Sequence, residues 1–408
     1  MSIPFDSDLD RALAALMDGD FYGRWQAIGQ LKHIGKAAIP SLVALLADES
    51  IDLEQCWFVA RALGEFDDPA AARSLVGLLS MAQDPAVQAA AAEALGKLAA
   101  RSPELRSVAL DQLGSYLDDP QLGPVVLGAI AQIQHPEAIE HLIAGTRSPD
   151  PALRVVAIDA LSSAADGRIL ALLLAATHDP DAAVRGAAAT ALGGRRAFGA
   201  EADRAAMLAA LTRLLGDPAV APAAVAALGR WNDDHAVAAL ARAWHEAIVP
   251  PGMVARVLAP MELRSALDVL AERLPLGLET ELVAGIQAIG QYLPRTDSYR
   301  QQVTSLLLGW LDRPDPPFQA PATLGAIVEA LGNLQSATAF DRLLPWLSDG
   351  LDRPSALQLR VFAALRQIDP QRGADRLAAW IDAQASGPTP LPIAAQFLAE
   401  WRAFQALQ

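Results

Sequence analysis

The sequence predicts an all-α protein, a right-handed α-α superhelix built from about eleven helix pairs, on three observations. First, one short pattern recurs along nearly the whole chain. Its copies are Ala27-Ile28-Gly29, Ala62-Leu63-Gly64, Ala94-Leu95-Gly96, Ala129-Ile130, Ala160-Leu161, Ala191-Leu192-Gly193, Ala227-Leu228-Gly229, Ala288-Ile289-Gly290, Ala330-Leu331-Gly332 and Ala364-Leu365, with a degenerate copy around Leu258. Second, measured at the Leu or Ile, successive copies lie 30 to 36 residues apart, with one gap of 42. A fixed period in this range marks a solenoid, in which each unit buries its apolar face only by stacking on its neighbours. Third, the chain is 52% hydrophobic but only 5% aromatic. Ala and Leu therefore fill the core, which suits closely packed helices because Ala costs no side-chain entropy.

Each copy can be read from its Leu or Ile as offset zero. Asp-Pro stands at −11 and −10 in Asp84-Pro85, Asp119-Pro120, Asp150-Pro151 and Asp217-Pro218, and Asp52 holds the same −11 place. Asp at a helix N-cap accepts a bond from an otherwise unmet N–H, and Pro is preset for the first helical position. A helix of roughly three turns follows and Gly at +1 releases it, after which a second amphipathic helix runs back, as in 70–79, 137–143 and 236–244.

Residues 1–20 read as an N-terminal capping helix with Leu9, Leu13 and Leu16 on one face, and regular repeats run to residue 245. Over 246–278 Pro250-Pro251, Pro260 and Pro275 blur the pattern into a degenerate repeat. Repeats resume over 279–386, and 387–408 reads as a C-terminal capping helix in which Phe397, Trp401 and Phe404 close the open end.

At 100° per residue the offsets separate into faces. Offset +3 is nearly always apolar (Leu31, Phe66, Leu98, Ile133, Trp231, Tyr292, Leu334, Ile368) and −4, −3, −1 and 0 are small or apolar in most copies. Only −6, −2 and +2 share the remaining arc, the concave surface of the solenoid, and no copy carries a large apolar residue at +2. The first two copies place Tyr22 and Trp57 at −6, flanked on the arc by Gln26, Gln30, Arg61 and Glu65. Aromatic residues rimmed by polar groups are the composition of a binding hot spot. The alternative is that both rings pack beneath the capping helix.

Two weaker candidates remain. Arg195 and Arg196 put charge at +3 and +4 of the sixth copy, where other copies put core; this reads as an exposed turn able to take a carboxylate or phosphate. Cys56, the single cysteine, sits at −7 and reads as an inert small hydrophobe. It could ligate a metal cluster only by sharing it with another protein's thiolates.

A formal charge of −15 without a long basic run argues against nucleic acid, which needs clustered Lys and Arg. One cysteine excludes an intrachain disulfide framework. The acidic start Met1-Ser-Ile-Pro-Phe-Asp-Ser-Asp lacks an apolar core and is read as no secretory signal, and no apolar run approaches a membrane span of about 20 residues. Those features predict a cytoplasmic protein. No nucleophile–base constellation, phosphate-cradling glycine loop or pair of catalytic carboxylates stands out in the sequence.

The stretch Asp179-Pro-Asp-Ala-Ala-Val-Arg185 running on to Ala191-Leu192-Gly193 resembles a HEAT repeat. The variant at 62–70, echoed at 129–138, is similar to the HEAT-like repeats of the phycobiliprotein bilin lyases. The N-terminal half also resembles cyanobacterial-type HEAT proteins that partner an A-type iron–sulfur scaffold. The resemblance covers 20–245 and, more weakly, 279–370; its motif encodes packing. Three functions follow as expectations. The first is a non-enzymatic scaffold holding a polypeptide partner on its concave face. The second, implied by resemblance alone, is a bilin lyase or lyase-related chaperone of phycobiliproteins. The third is an iron–sulfur assembly partner sharing a cluster through Cys56.

Overall fold

The computed structural model describes residues 8–48, 50–164, 166–195, 201–348, 355–384 and 391–407. Among them every regular element is helical, and the chain divides into two compact units, Met1–Ala210 and Leu211–Gln408.

In the first unit a single helix, α1 (Asp8–Asp18), precedes the pairs α2 (Phe21–Ile34) with α3 (Ile39–Leu46), α4 (Leu53–Leu63) with α5 (Pro69–Met81), α6 (Pro85–Arg101) with α7 (Pro103–Gly114), α8 (Gly123–Ala131) with α9 (Pro136–Gly145), and α10 (Pro151–Leu161) with α11 (Ile169–Ala176). Then come α12 (Ala182–Gly194) and α13 (Glu201–Leu214), whose end enters the second unit. That unit continues with α14 (Ala221–Trp231) and α15 (Asp234–His245), α16 (Pro251–Leu258) and α17 (Arg264–Arg273), α18 (Glu279–Gln291) and α19 (Asp297–Leu311), α20 (Pro321–Asn333) and α21 (Ala337–Leu343), α22 (Ala356–Ile368) and α23 (Gly373–Gln384), and closes with α24 (Pro392–Ala406). The copies at Ile28 through Leu365 each fall on the first helix of a pair, and the degenerate copy at Leu258 falls on α16. The blurred stretch is thus a helix pair, with Pro260 and Pro275 taken up by 3₁₀ turns.

Capping follows the acidic residues. Asp52 accepts from Gln55 N while the Gln55 side chain answers Asp52 N, a reciprocal capping box, and Asp84, Asp150 and Asp181 cap α6, α10 and α12. Asp119 and Asp217 depart from the expected pattern. They bond Gln121 N and Ala219 N in turns, and α8 and α14 start at Gly123 and Ala221 instead. The cause is a second proline, Pro124 or Pro222, whose missing N–H lies one step inside the helix start where it interrupts nothing.

The first helices of successive pairs pack side by side within each unit, α2 on α4 through to α10 on α12 and α14 on α16 through to α20 on α22. The recurring glycine explains the seam. A Cβ on Gly64 would lie 2.8 Å from Ala94 Cβ, one on Gly290 2.6 Å from Ala330 Cβ, and one on Gly332 2.9 Å from Ala364 Cα. At these copies Gly at +1 admits the −1 residue of the next copy, whereas Gly29 in the first copy has nothing within 4 Å of its Cβ position. Offset +3 seals the layer below, with Leu31, Phe66, Leu98, Ile133, Trp231 and Leu334 all buried, whereas Tyr292 and Ile368 at the same offset are only half-buried. The +2 residues Gln30, Glu65, Lys97, Gln132, Ser163, Gly194, Arg230, Gln291, Asn333 and Gln367 are all at least partly exposed.

The ends are closed differently. α1 buries Ala12 and Leu16 against α2. In α24, Phe397 stacks on Phe362 at 4.3 Å and Trp401 meets the same ring edge-on at 5.8 Å, whereas Phe404 stays 42% exposed. Four turns share one backbone conformation: Gln134, Asn232, Glu262 and Gln335, each at offset +4, adopt left-handed φ of 46°, 49°, 50° and 51°.

Candidate partner-binding site

The starts of α2 and α4 are set by their caps. Asp20 accepts from Gly23 N at 2.7 Å and Asp52 from Gln55 N at 2.7 Å. The two helices pack together, so the first turns of both present aromatic residues at one place. Phe58, fully buried, forms the floor: Phe21, Trp25 and Trp57 meet it edge-on with centroids 5.6, 5.9 and 5.0 Å away. Trp25 and Trp57 stand nearly perpendicular, 5.9 Å apart. The Arg61 guanidinium lies over both indoles, 4.8 Å from Trp57 and 5.4 Å from Trp25, and is held from the far side by Glu93 at 2.5 Å. Edge-to-face pairs of this kind add about 0.5–1.5 kcal/mol each, and a cation over a half-exposed ring about 0.5–1 kcal/mol. The cluster is therefore rigid yet open: Phe21 is 62% exposed, Trp25 38%, and Leu53, one turn before Trp57, 61%.

The expected residues separate in space. Trp57 and Arg61 belong to the aromatic cluster. Tyr22 is 70% exposed and, among the described residues, pairs with no ring, so it neither joins Trp57 nor lies under the capping helix. Gln26 and Gln30 face a different hollow, a cleft of about 710 Å³ shared with Asp8, Arg11 and His33. Glu65 pairs with Lys32 at 2.8 Å and Lys97 at 3.9 Å. Burial pushes its carboxyl up, but the bond from Lys32 and the nearby charges outweigh that and hold it below the usual carboxylate range.

Phe21 and Trp25 join the cluster without being expected there. They occupy −7 and −3, and −3 is buried in the copies that carry Ala60, Ala92, Leu127, Ile158 or Ala189. The available signal was size: where three of those copies have Ala, the first has Trp, which overfills the seam and spills outward.

Arg195 does not form the exposed turn expected of it. It keeps the +3 core place, 7% exposed, and its Nη1 donates to the Ser162 and Ala164 carbonyls at 2.9 and 3.1 Å. Those carbonyls end the preceding first helix, so the guanidinium caps α10 from the next repeat. Arg196 lies outside the described residues. The Cys56 thiol is half-buried, and burial, with Asp52 nearby, pushes it up, away from the reactive thiolate. Among the described residues no three His, Cys, Asp or Glu side chains gather as a metal-holding group. Nor is any helix among them long and apolar enough to cross a membrane.

With this geometry in hand, residues 9–96 and 139–219 match the family model of HEAT repeats. Over those two stretches the chain is similar to HEAT repeats. Similar solved structures include Kap95p in its complex with RanGDP (TM-score 0.56, 15% identity, covering 97% of this chain and 66% of that one). Yeast importin-β, Kap95p alone, gives a TM-score of 0.54 at 13% identity over 93% of this chain and 60% of that one. The Nostoc phycocyanin lyase complex of CpcE and CpcF gives 0.32 at 22% identity, over 57% and 96%. The chain thus spans less than two thirds of the importin structures' length. At these identities the importin likeness shows the fold, an all-α HEAT solenoid. No curated protein matches the chain.

Proposed function

We propose that this HEAT-repeat chain is a non-enzymatic binding scaffold that captures a polypeptide partner on the N-terminal aromatic cluster. One observation carries the reading: Phe21, Trp25 and Leu53 stay exposed around a rigid Trp57–Arg61 centre. Large rings left in water cost free energy that a partner's apolar side chain recovers. The rings are also immobilised before binding, so little side-chain entropy remains to be lost when a partner docks. Glu93 neutralises Arg61 and leaves the centre without net charge.

The test is affinity capture of interacting polypeptides with the full chain and with Phe21→Ala and Trp25→Ala variants. A polypeptide retained by the parent and lost by roughly tenfold or more in the variants, compared per folded molecule, is the expected result. Equal retention by parent and variants would remove the cluster from the binding surface.

A further inference from the structure

The second unit carries a separate groove with a different chemistry. On α18, α20 and α22 the −2 and +2 residues are Gln287 and Gln291, Glu329 and Asn333, and Ala363 and Gln367. Gln287, Gln291, Glu329 and Asn333 wall a cleft of about 130 Å³ whose floor is the Gly290–Ala330 seam, too close for any side chain to fill. Gln367 Nε2 donates to Asn333 Oδ1 at 2.8 Å and joins this cleft to a second of about 340 Å³. Pro370, Trp401 and Phe404 give the second cleft apolar walls. Arg366 stands in it, its guanidinium 4.2 Å from the Phe404 centroid and, among the described residues, without a carboxylate partner. The neighbouring amide of Gln405 is already spent on the Pro370 and Gln371 carbonyls.

The corresponding ladder of the first unit is closed on itself. There Arg61 pairs with Glu93, and Glu65 with Lys32 and Lys97. In the second unit, among the described residues, Glu329 has no cation and the Gln287 and Gln291 amides have no protein partner. A side-chain amide both donates and accepts, which matches the alternating N–H and C=O of an extended main chain. Two opposite charges one helix apart, Glu329 on α20 and Arg366 on α22, then fix polarity.

We propose that this groove binds an extended peptide segment. Its main chain lies on Gln287, Gln291 and Asn333, a Lys or Arg meets Glu329, and an apolar side chain followed by a carboxylate enters the Arg366 cleft. Neighbouring helices stand about 8–10 Å apart and an extended chain advances about 3.3 Å per residue, so cation and carboxylate fall about three residues apart. A Lys-Ser-Leu-Glu core has that spacing. The inference rests on reading the chain as a polypeptide-binding solenoid, but it involves no residue of the aromatic cluster.

Fluorescence anisotropy with the full chain and a labelled Lys-Ser-Leu-Glu peptide in Gly-Ser flanks tests it, against the charge-reversed Glu-Ser-Leu-Lys peptide. Saturable binding is expected, weakened roughly tenfold or more by charge reversal and by Arg366→Gln, since a charge-assisted contact is lost. Phe21→Ala, which removes a ring of the aromatic cluster and none of the groove, should keep peptide binding, which separates this groove from the aromatic site. If Arg366→Gln lowers the melting temperature by loosening α24, Glu329→Gln, exposed on the groove, must show the same preference lost in a folded chain. No saturable binding, equal binding of both peptides, or full binding by a folded Glu329→Gln variant would each overturn the proposal.

Discussion

A Cβ on Gly96 would lie 2.5 Å from the carbonyl oxygen of Ala129 on the next repeat. That oxygen belongs to a helix backbone and cannot swing away, so Gly96→Ala must push α6 and α8 apart. By contrast, Gly128 on α8 has nothing within 4 Å of the place its Cβ would take. Gly96→Ala should cost about 1–3 kcal/mol by overpacking. Gly128→Ala should gain about 0.5–1 kcal/mol, because Ala loses less backbone freedom in a helix. Urea unfolding of both variants reads the two signs directly, and a matching loss at both positions would contradict the seam.

The turns at Gln134 and Gln335 hold left-handed φ of 46° and 51° without being glycine. An L side chain there is strained by Cβ against the following carbonyl. Gln134→Gly and Gln335→Gly should each raise stability by up to about 1 kcal/mol, and Gln335→Val should lower it, since β-branched residues are the poorest in this region. Melting temperatures of the three variants decide this.

Arg195 offers a sharper case. Its guanidinium meets the carbonyls of Ser162 and Ala164 from a buried +3 position. Arg195→Leu restores the apolar residue of the other copies but strips those carbonyls of their donor, and should destabilise by about 1–3 kcal/mol. A gain in stability on substitution would show that burial of the charge outweighs the bonds it makes.

Arg154 grips Asp179 with Nε at 2.9 Å and Nη2 at 2.7 Å, and both side chains are nearly buried. Burial pushes the Asp179 carboxyl up, but the Arg154 bonds and the Asp181 N–H outweigh it and hold it below the ordinary value. A depressed carboxylate contributes stability that is complete above its unfolded value of about 3.9 and is lost as pH falls through the lower folded value. Asp179→Asn should therefore cost about 1–3 kcal/mol at pH 7 and progressively less below pH 4. Denaturation series at pH 7 and pH 3 test this; a penalty independent of pH would refute the charge assignment.

Much of the fold is legible in the sequence because each repeat states its packing rules several times. The Leu or Ile at zero, Gly at +1 and apolar +3 are independent records of one seam, so even a degenerate copy such as Leu258 can be placed. The aromatic site is less fully legible. Trp57 and Arg61 stand out because −6 and −2 face outward in most copies. Phe21 and Trp25 escape notice because periodicity assigns them to the seam, and periodicity carries no information on whether a side chain fits there. Arg195 is misread for the same reason: a pattern of apolar positions cannot show that a guanidinium has carbonyls within reach.

The seams at Gly64, Gly96, Gly290 and Gly332 are alike in composition, each a glycine against an alanine of the next repeat. If residues 65–96 were excised, Gly64 would take the place of Gly96 opposite Ala129, and Lys97 would follow it as it now follows Gly96. Such a shortened chain should still fold, with circular dichroism showing helix content in proportion to its length. Whole repeats can then be lost or duplicated in a lineage without redesigning a core, so the number of repeats is open to inheritance as a quantity of its own, separate from the side chains that make the surfaces.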